Sequence, residues 1–327
     1  MIDKPKLQHA FETAIDMAVR APSIHNTQPW RWRVTADAVH LYADTSRHLP
    51  ATDPTGRALV MSCGAALHHL RVGLAMLGWH AGVRYVPDPG DPDLLAVITA
   101  TPRAATPADI ESAAAIMHRQ SDRRAYDPRP VNAAMLRGIS SVAPAFGAAA
   151  RLVPPQLRGA LAEATHTAVA RHARDGDYQR EITIWSGRHG DADGVPAANT
   201  PPIREDGEIL LRAFADPELA DPADVVDGAQ WFVIGTPTDD TQARVRAGEA
   251  VSAILLTATR SGLASCIQSE PLGILDLGAD LRSEVLHDCA FAQTMIRIGW
   301  APRTAAPLPF TPRRPSAEVV DEEVVSS

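Results

Sequence analysis

Apolar side chains recur at helical spacing through residues 7–20, "LQHAFETAIDMAVR", and Pro22 ends that run because a proline disfavours helix in the residue before it. Beyond a short polar loop the period falls to two. Trp30, Trp32 and Val34 lie on one face and Arg31 and Arg33 on the other, which predicts a half-buried strand. "VHLYAD" (39–44) pairs with it after the Asp37-Ala38 turn. A loop holding Pro50, Pro54 and Gly56 leads into a helix of small residues over 59–79, and "VRYVPD" and "LLAVITA" read as two more strands. A helix near 107–118 opens the second half.

The second half then repeats the plan of the first. "CGAALHHLRVGLAMLGW" (63–79) aligns with "AGEAVSAILLTATRSGL" (247–263): Gly64 and Gly78 are fourteen residues apart, as are Gly248 and Gly262. The strand "QWFVIGTPTDD" (230–240) parallels 39–48, and "SSVAPAFGAA" (140–149) is a worn copy of "MAVRAPSIHN" (17–26) that has lost the Ser and the Asn. These matches predict a two-fold internal repeat, with two Gly/Ala-rich helices packed closely at its centre. Two helices alike by composition alone are the other reading. On the first, the chain divides into an N-terminal half, 1–106, and a C-terminal half, 107–327.

Composition adds exclusions. With 327 residues, 45% hydrophobic, the chain can bury a large core, and a net charge of −8 argues against a general nucleic-acid binder. No apolar run approaches the ~20 residues that span a bilayer, and the amphipathic, acid-containing N-terminus is unlike a signal peptide, so the expectation is a cytoplasmic protein with no membrane partner. Cys63, Cys266 and Cys289 have neither metal nor disulfide spacing and read as small hydrophobes of a reducing compartment. The tail "SAEVVDEEVVSS" is acidic and expected to fray.

Lys4 and Lys6 are the sole lysines among 31 basic residues, and arginine binds phosphate in a planar, bidentate way that lysine cannot match. "RQSDRRAY" (119–126) offers Arg119, Ser121, Arg123 and Arg124. Taken alone it reads as a solvated basic turn, paired with Asp122 and Asp127. A second cluster, Arg313 and Arg314 in "PFTPRRPSAEVV", sits on a proline-rich arm able to reach across the structure, so that two clusters converge on one anion. There is no GxGxxG after a strand, no GxxxxGK[ST], no GxSxG and no HExxH. His68 and His69 are adjacent on a helix and read as core or helix-surface residues, not a metal pair. Ser23 and His25 lack an orienting acid nearby.

"APSIHNTQPW" (21–30) together with "RQSDRRAY" resembles the FMN-dependent nitroreductase family, which carries an APSxxNxQPW loop and an RxSxR phosphate motif. The whole chain is similar to the mycobacterial Acg-type branch, in which two nitroreductase-like halves share one polypeptide. The implied fold is α+β, two pseudo-symmetric halves each with a sheet flanked by helices, like a fused dimer; the molecule is then a monomer with pseudo-dimer symmetry or a homodimer of it. The resemblance implies FMN as cofactor, NADPH or NADH as reductant, and a small nitroaromatic or quinone-like electron acceptor served from the same flavin face. It implies that Arg119, Ser121 and Arg313, with Arg314 beside it, hold the phosphate. Arg123 stands at the N1/O2 edge of the ring, Pro22, Ser23 and Asn26 flank the ring, and Gln28, Pro29 and Trp30 lie behind them. The backbone near Ser269 and Glu270 approaches N5. In the ordinary family RxSxR precedes the APS loop; here it follows, and the second APS copy is degraded, so one flavin site per chain is expected.

The segment 187–207, "GRHGDADGVPAANTPPIREDG", is longer than ordinary connections and is expected to be a lid, with Trp185 as its anchor. A lid that stays shut makes the chain an FMN-sequestering protein with little turnover. A phosphate-ligand module unrelated to flavin is a third reading.

Overall fold

The computed structural model describes residues 4–205, 207–221, 226–303 and 305–321. The chain runs α1 (Lys4–Ala18), β1 (Trp30–Val34), β2 (Ala38–Ala43), α2 (Arg57–Met76), β3 (Trp79–Tyr85), β4 (Leu94–Pro102), α3 (Pro107–His118), α4 (Ala133–Ser140) and β5 (Ala149–Leu152). It continues with α5 (Arg158–His172), α6 (Gly176–Trp185), β6 (Ser186–Arg188), β7 (Val195–Pro196), β8 (Gln230–Thr236), α7 (Thr241–Arg260), β9 (Ala264–Gln268), α8 (Leu275–Glu284), β10 (Phe291–Gly299) and β11 (Val320–Asp321). This is an α+β fold with two sheets. One has the order β11-β1-β2-β4-β3 and the other β5-β8-β10-β9.

Without β11, both sheets have their strands in the order first, second, fourth, third, every neighbour antiparallel. In each, a helix and a single tight turn (Ile24–Asn26 or Ala143–Phe146) precede the first strand, and a 20-residue helix joins the second to the third. The repeat is therefore topological, not a likeness of composition. The degraded copy at 140–149 keeps the place of the APS loop, while the segment between β5 and β8 has no counterpart between β1 and β2.

The helices α2 and α7 cross where both are glycine. A Cβ on Gly64 would stand 2.0 Å from the Val245 carbonyl oxygen, and one on Gly248 would stand 2.0 Å from that of Met61. Gly64 and Gly248 share one offset of 184 residues with Met61 and Val245, so the crossing obeys the same two-fold relation as the sequence. The structure ends α2 at Met76, three residues before the expected limit, because Gly78 takes a left-handed conformation (φ 87°), as Gly262 does after α7 (φ 73°).

Contrary to expectation, α2 is long and apolar enough to cross a membrane by composition, with a mean hydropathy of 1.3; two-thirds of that stretch is buried, between α1 and α7. Arg31 and Arg33 are exposed and Trp30 and Trp32 fully buried, as the alternation requires. His68 and His69 are buried, bonded to Ser252 Oγ (2.9 Å) and the Met17 carbonyl (3.3 Å). No metal cluster exists among the described residues. The proline-rich arm does reach back: Trp32 N donates to the Val319 carbonyl (2.7 Å), and β11 pairs parallel to β1. The acidic end, 322–327, lies outside the described residues.

Gly64→Ala or Gly248→Ala should each cost about 3 kcal/mol or more, since a backbone carbonyl cannot yield as a side-chain tip can. Gly138→Ala, on exposed α4 with open space around it, should stabilise slightly. Thermal unfolding of the three variants checks this, and equal melting temperatures for all would contradict the close crossing.

Candidate functional site

The loop Ala21–Pro29 is tightly strained. His25 (φ 44°), Asn26 (φ 55°) and Gln28 (φ 52°) are three of the seven non-glycine residues with positive φ among those described. Such backbone persists where the surroundings over-determine it, and here they do. Ile24 N donates to Ser62 Oγ on α2 (3.0 Å), Gln28 N to Ser23 Oγ (2.9 Å), and Cys63 Sγ to the Pro29 carbonyl (3.0 Å). The strain turns Pro22, Ser23 and His25 towards α7 and the start of α2, where they line a narrow cavity of about 100 Å³ with Met61, Gln268 and Ser269.

Next to this cavity lies a smaller pocket lined by Asn26, Arg119 and Arg313, with Pro22, Ser23, Ser121 and Arg123 shared between the two. Arg119 follows the last turn of α3, Ser121 bridges to Ser265 at β9, and Arg313 comes from the C-terminal arm, so three distant stretches meet here. Arg119 is buried and Arg313 half-buried, yet neither forms an ion pair among the described residues, and both Nε atoms lack a partner. Burial, then the Arg123 and Arg20 guanidiniums, pushes Arg119 down to about 10; burial, then Arg119 and Arg20, pushes Arg313 down to about 9. Both stay charged at neutral pH. Two adjacent, desolvated cations with no carboxylate are the electrostatic signature of an anion site.

Other arginines of the two clusters are spoken for. Arg124 is buried and paired with Asp122 (2.8 Å), and Arg314 Nε reaches Glu318 (3.4 Å) while its backbone N–H donates to Gln28 Oε1 (2.8 Å). Of the solvated basic turn only the pairing of Arg124 with Asp122 survives, and that pair is buried, while Asp127 pairs with Arg129 and Arg303 instead. Arg314, Gln28, Pro29, Trp30 and Glu270 line neither pocket. Trp30 belongs to the core between the first sheet and α2, and Pro29 leads into β1 beside it. Gln28 is a tie, its Nε2 donating to the Ala192 carbonyl (2.8 Å). Glu270 is buried against His172 Nδ1 and Tyr178 Oη, both 3.1 Å from one carboxylate oxygen. Despite burial, those two hydrogen bonds and the Arg212 charge hold its carboxyl below the usual range.

The segment 189–200 lies against the loop. Asn26 Nδ2 donates to the Gly194 carbonyl (3.0 Å) and to the Pro312 carbonyl of the arm (3.2 Å), Asn199 Nδ2 to the Pro309 carbonyl (2.8 Å), and Arg47 pairs with Asp193. Arg47 also stacks on Trp185 at 5.3 Å. Val195 and Pro196 wall the anion pocket. Further on, Arg212 and Phe214 close the larger cavity: Phe214 meets the His25 ring edge-on at 5.5 Å and lies under Arg123 at 4.9 Å, and Arg212 donates to His25 Nε2. His25, Arg212, Phe214 and the β10 pair Gln293 and Thr294 escaped the sequence reading. Only His25 carried a signal, its place inside the APS motif.

On the opposite side of the helix crossing, the 184-residue offset carries cavity-lining Ser62 and Ala65 onto Arg246 and Glu249. Bulk fills that place. Glu249 is fully buried, bonded to Arg71 Nη1 (2.6 Å) and Tyr85 Oη (2.7 Å), Arg246 stacks on Tyr85 at 4.8 Å, and Arg71 on Phe146 of the degraded loop at 5.5 Å.

No protein-family model matches the chain. A Mycobacterium tuberculosis protein named as a candidate NAD(P)H nitroreductase is 46% identical over 314 residues, 94% of this chain and 90% of its own. The Acg protein of the same organism, likewise named as a candidate NAD(P)H nitroreductase, is 32% identical over 313 residues, 94% of each chain. Among solved structures, the FMN-dependent nitroreductase NfnB of Mycobacterium smegmatis in complex with NADPH overlaps at a TM-score of 0.42 and 18% identity, over 64% of this chain and 97% of that one. The chain belongs to the nitroreductase family. Within it, the chain sits on the branch that holds Acg.

Acid should destabilise the fold. Burial first, then Arg212 and Arg123, keeps His25 neutral; burial and Arg71 push His68 down to about 3, and burial and Arg119 depress His69. Each histidine has its folded pKa below the unfolded 6.5, so its contribution is complete above that pH and is lost as pH falls. The loss is about 1.4 kcal/mol per histidine for each pH unit below the unfolded value. The melting temperature should therefore drop steeply from pH 7 to 5.5, and a flat profile would overturn the neutral assignments.

Proposed function

We propose that the two joined pockets hold one FMN per chain, between the repeats 1–106 and 107–327, and that the protein is an NAD(P)H-dependent reductase of nitroaromatic or quinone-like acceptors. The observation that carries this is the pair Arg119, buried, and Arg313, half-buried, which converge on one pocket without an acid partner among the described residues. The donor set fits the group. A phosphate dianion meets Arg119, Arg313 and the Ser121 hydroxyl. Arg119 Nε, Arg313 Nε, Asn26 Oδ1 and His25 Nδ1 are buried without partners on the pocket linings, polar capacity that ribityl hydroxyls and a ring edge would satisfy.

When bound, FMN supplies the hydride chemistry, and the protein orients and tunes it. Pro22 and Ser23 present backbone to the flat ring. Ser23 Oγ already accepts from Gln28 N, so its proton is free for a ligand. Arg123 places positive charge where the reduced ring gathers negative charge. Ser269 stands at the far wall of the ring cavity, and Glu270 supports it from behind through His172 and Tyr178. Arg314, Gln28, Pro29 and Trp30 act indirectly, by fixing the loop. Bulk at Arg246 and Glu249 supports a single site per chain.

A specific observation favours a second reading. The segment over the site is tied at Ala192, Gly194 and Asn199, by hydrogen bonds to Gln28, Asn26 and the C-terminal arm. Read as a lid, it must open for turnover; shut, it makes the protein an FMN reservoir.

The purified protein should be yellow, and Arg119→Ala and Arg313→Ala should each weaken FMN binding about 10- to 100-fold, by loss of charge-assisted hydrogen bonds. The double variant should emerge colourless from gel filtration; flavin retained there would refute the phosphate assignment. NADPH or NADH should bleach the flavin anaerobically, and Gln28→Ala, which frees the Ala192 tie, should bleach faster in stopped-flow. Inertness of both proteins to both nucleotides would favour the reservoir.

A further inference from the structure

Behind the outer wall of the ring cavity lies a chamber of about 540 Å³, within the range of small-molecule sites and much roomier than the cavity itself. The two share three residues, Arg123, Arg212 and Phe214. Apolar surface comes from Trp231, Ile209 and Leu211. Two of its cations are answered, Arg158 by Glu208 (3.2 Å) and Arg297 by Asp227 (2.7 Å).

The cations on the shared wall are not. Arg123 donates to the Asn199 carbonyl (3.3 Å) and rests on Phe214; Arg212 donates to His25 and faces the Tyr178 ring at 5.8 Å. Neither has a carboxylate at ion-pair distance among the described residues, and Arg212 Nη2 is buried without a partner. Because His25 is neutral, it accepts one Arg212 N–H without cancelling the charge. Asp221, also in the lining, spends one oxygen on Ala125 N (3.0 Å), and burial raises its pKa.

We propose that this chamber is the docking site for a planar redox substrate that carries a terminal oxyanion, with Arg212 holding the anion and the planar part facing Phe214, the partition before the ring cavity. The inference rests on the reading of the inner cavity as the flavin site. It adds a substrate class: acidic aromatics, in preference to neutral ones of the same shape. Arg212 suits a carboxylate or a phosphate, both planar or fork-matched partners of guanidinium.

The test is calorimetric binding of three probes to the protein as purified: 4-nitrobenzoate, 4-nitrophenyl phosphate and the uncharged 4-nitrobenzamide. At least one anion should bind about 10-fold or more tightly than the amide, and which one does so identifies the source of the oxyanion. Arg212→Ala should abolish that preference, and Arg212→Lys should retain part of it. Equal binding of all three probes, or a preference that survives Arg212→Ala, overturns the proposal. Visible absorbance is read on the same samples. A colourless protein that still prefers the anion keeps the chamber and sinks the flavin reading; a yellow protein without preference does the reverse.

Discussion

The close contact of α2 with α7 is the constraint on which the rest depends. Glycine at 64 and 248 lets two backbones meet where any side chain would collide with a carbonyl oxygen. That contact joins the two sheets into one body and brings the first turns of α2 under the APS loop and the middle of α7 beside them. The pair supplies Ala58, Met61, Ser62, Ala65, Gly248 and Val251 to the inner cavity. A slip of one residue in either helix would remove the Ser62 acceptor from Ile24 and relax the strained loop.

The site itself is an electrostatic meeting of distant chain. Arg119 ends α3, Arg313 rides on an arm anchored by two residues of parallel strand, and Asn26 ties that arm and the covering segment to the loop at once. Desolvated guanidiniums without carboxylates are costly to a fold, which is the physical ground for the ligand proposed here. Further out, Arg123 and Arg212 stand on the wall that two compartments share.

Much of this was legible in the residues. The 3.6-residue period located α1, the run of small residues located α2, the two-residue period put both tryptophans on one face, and the fourteen-residue glycine spacing announced the repeat and the packing of its two helices. What alternation does not say is which interior a buried face belongs to: Trp30 packs in the core and not against the ligand cavity. The stretch 187–207 stands out by length and composition, but Arg212 and Phe214 do not, because they lie in coil with no period and reach the cavity through tertiary contact alone. Arg314 looked equivalent to Arg313 in "TPRRP", yet successive residues of an extended arm point opposite ways, and Glu318 takes the second.

The filled counterpart of the site has a mechanical consequence. Arg71, Glu249 and Tyr85 lock α2, α7 and β3 together on the side that has lost its loop motif, so half of the duplicated scaffold has become a brace. With the helices held from behind, the surviving cradle cannot breathe by sliding one helix along the other. The two elements that only one repeat possesses, the insertion after β5 and the trailing arm, rest on this stiff frame from the other side.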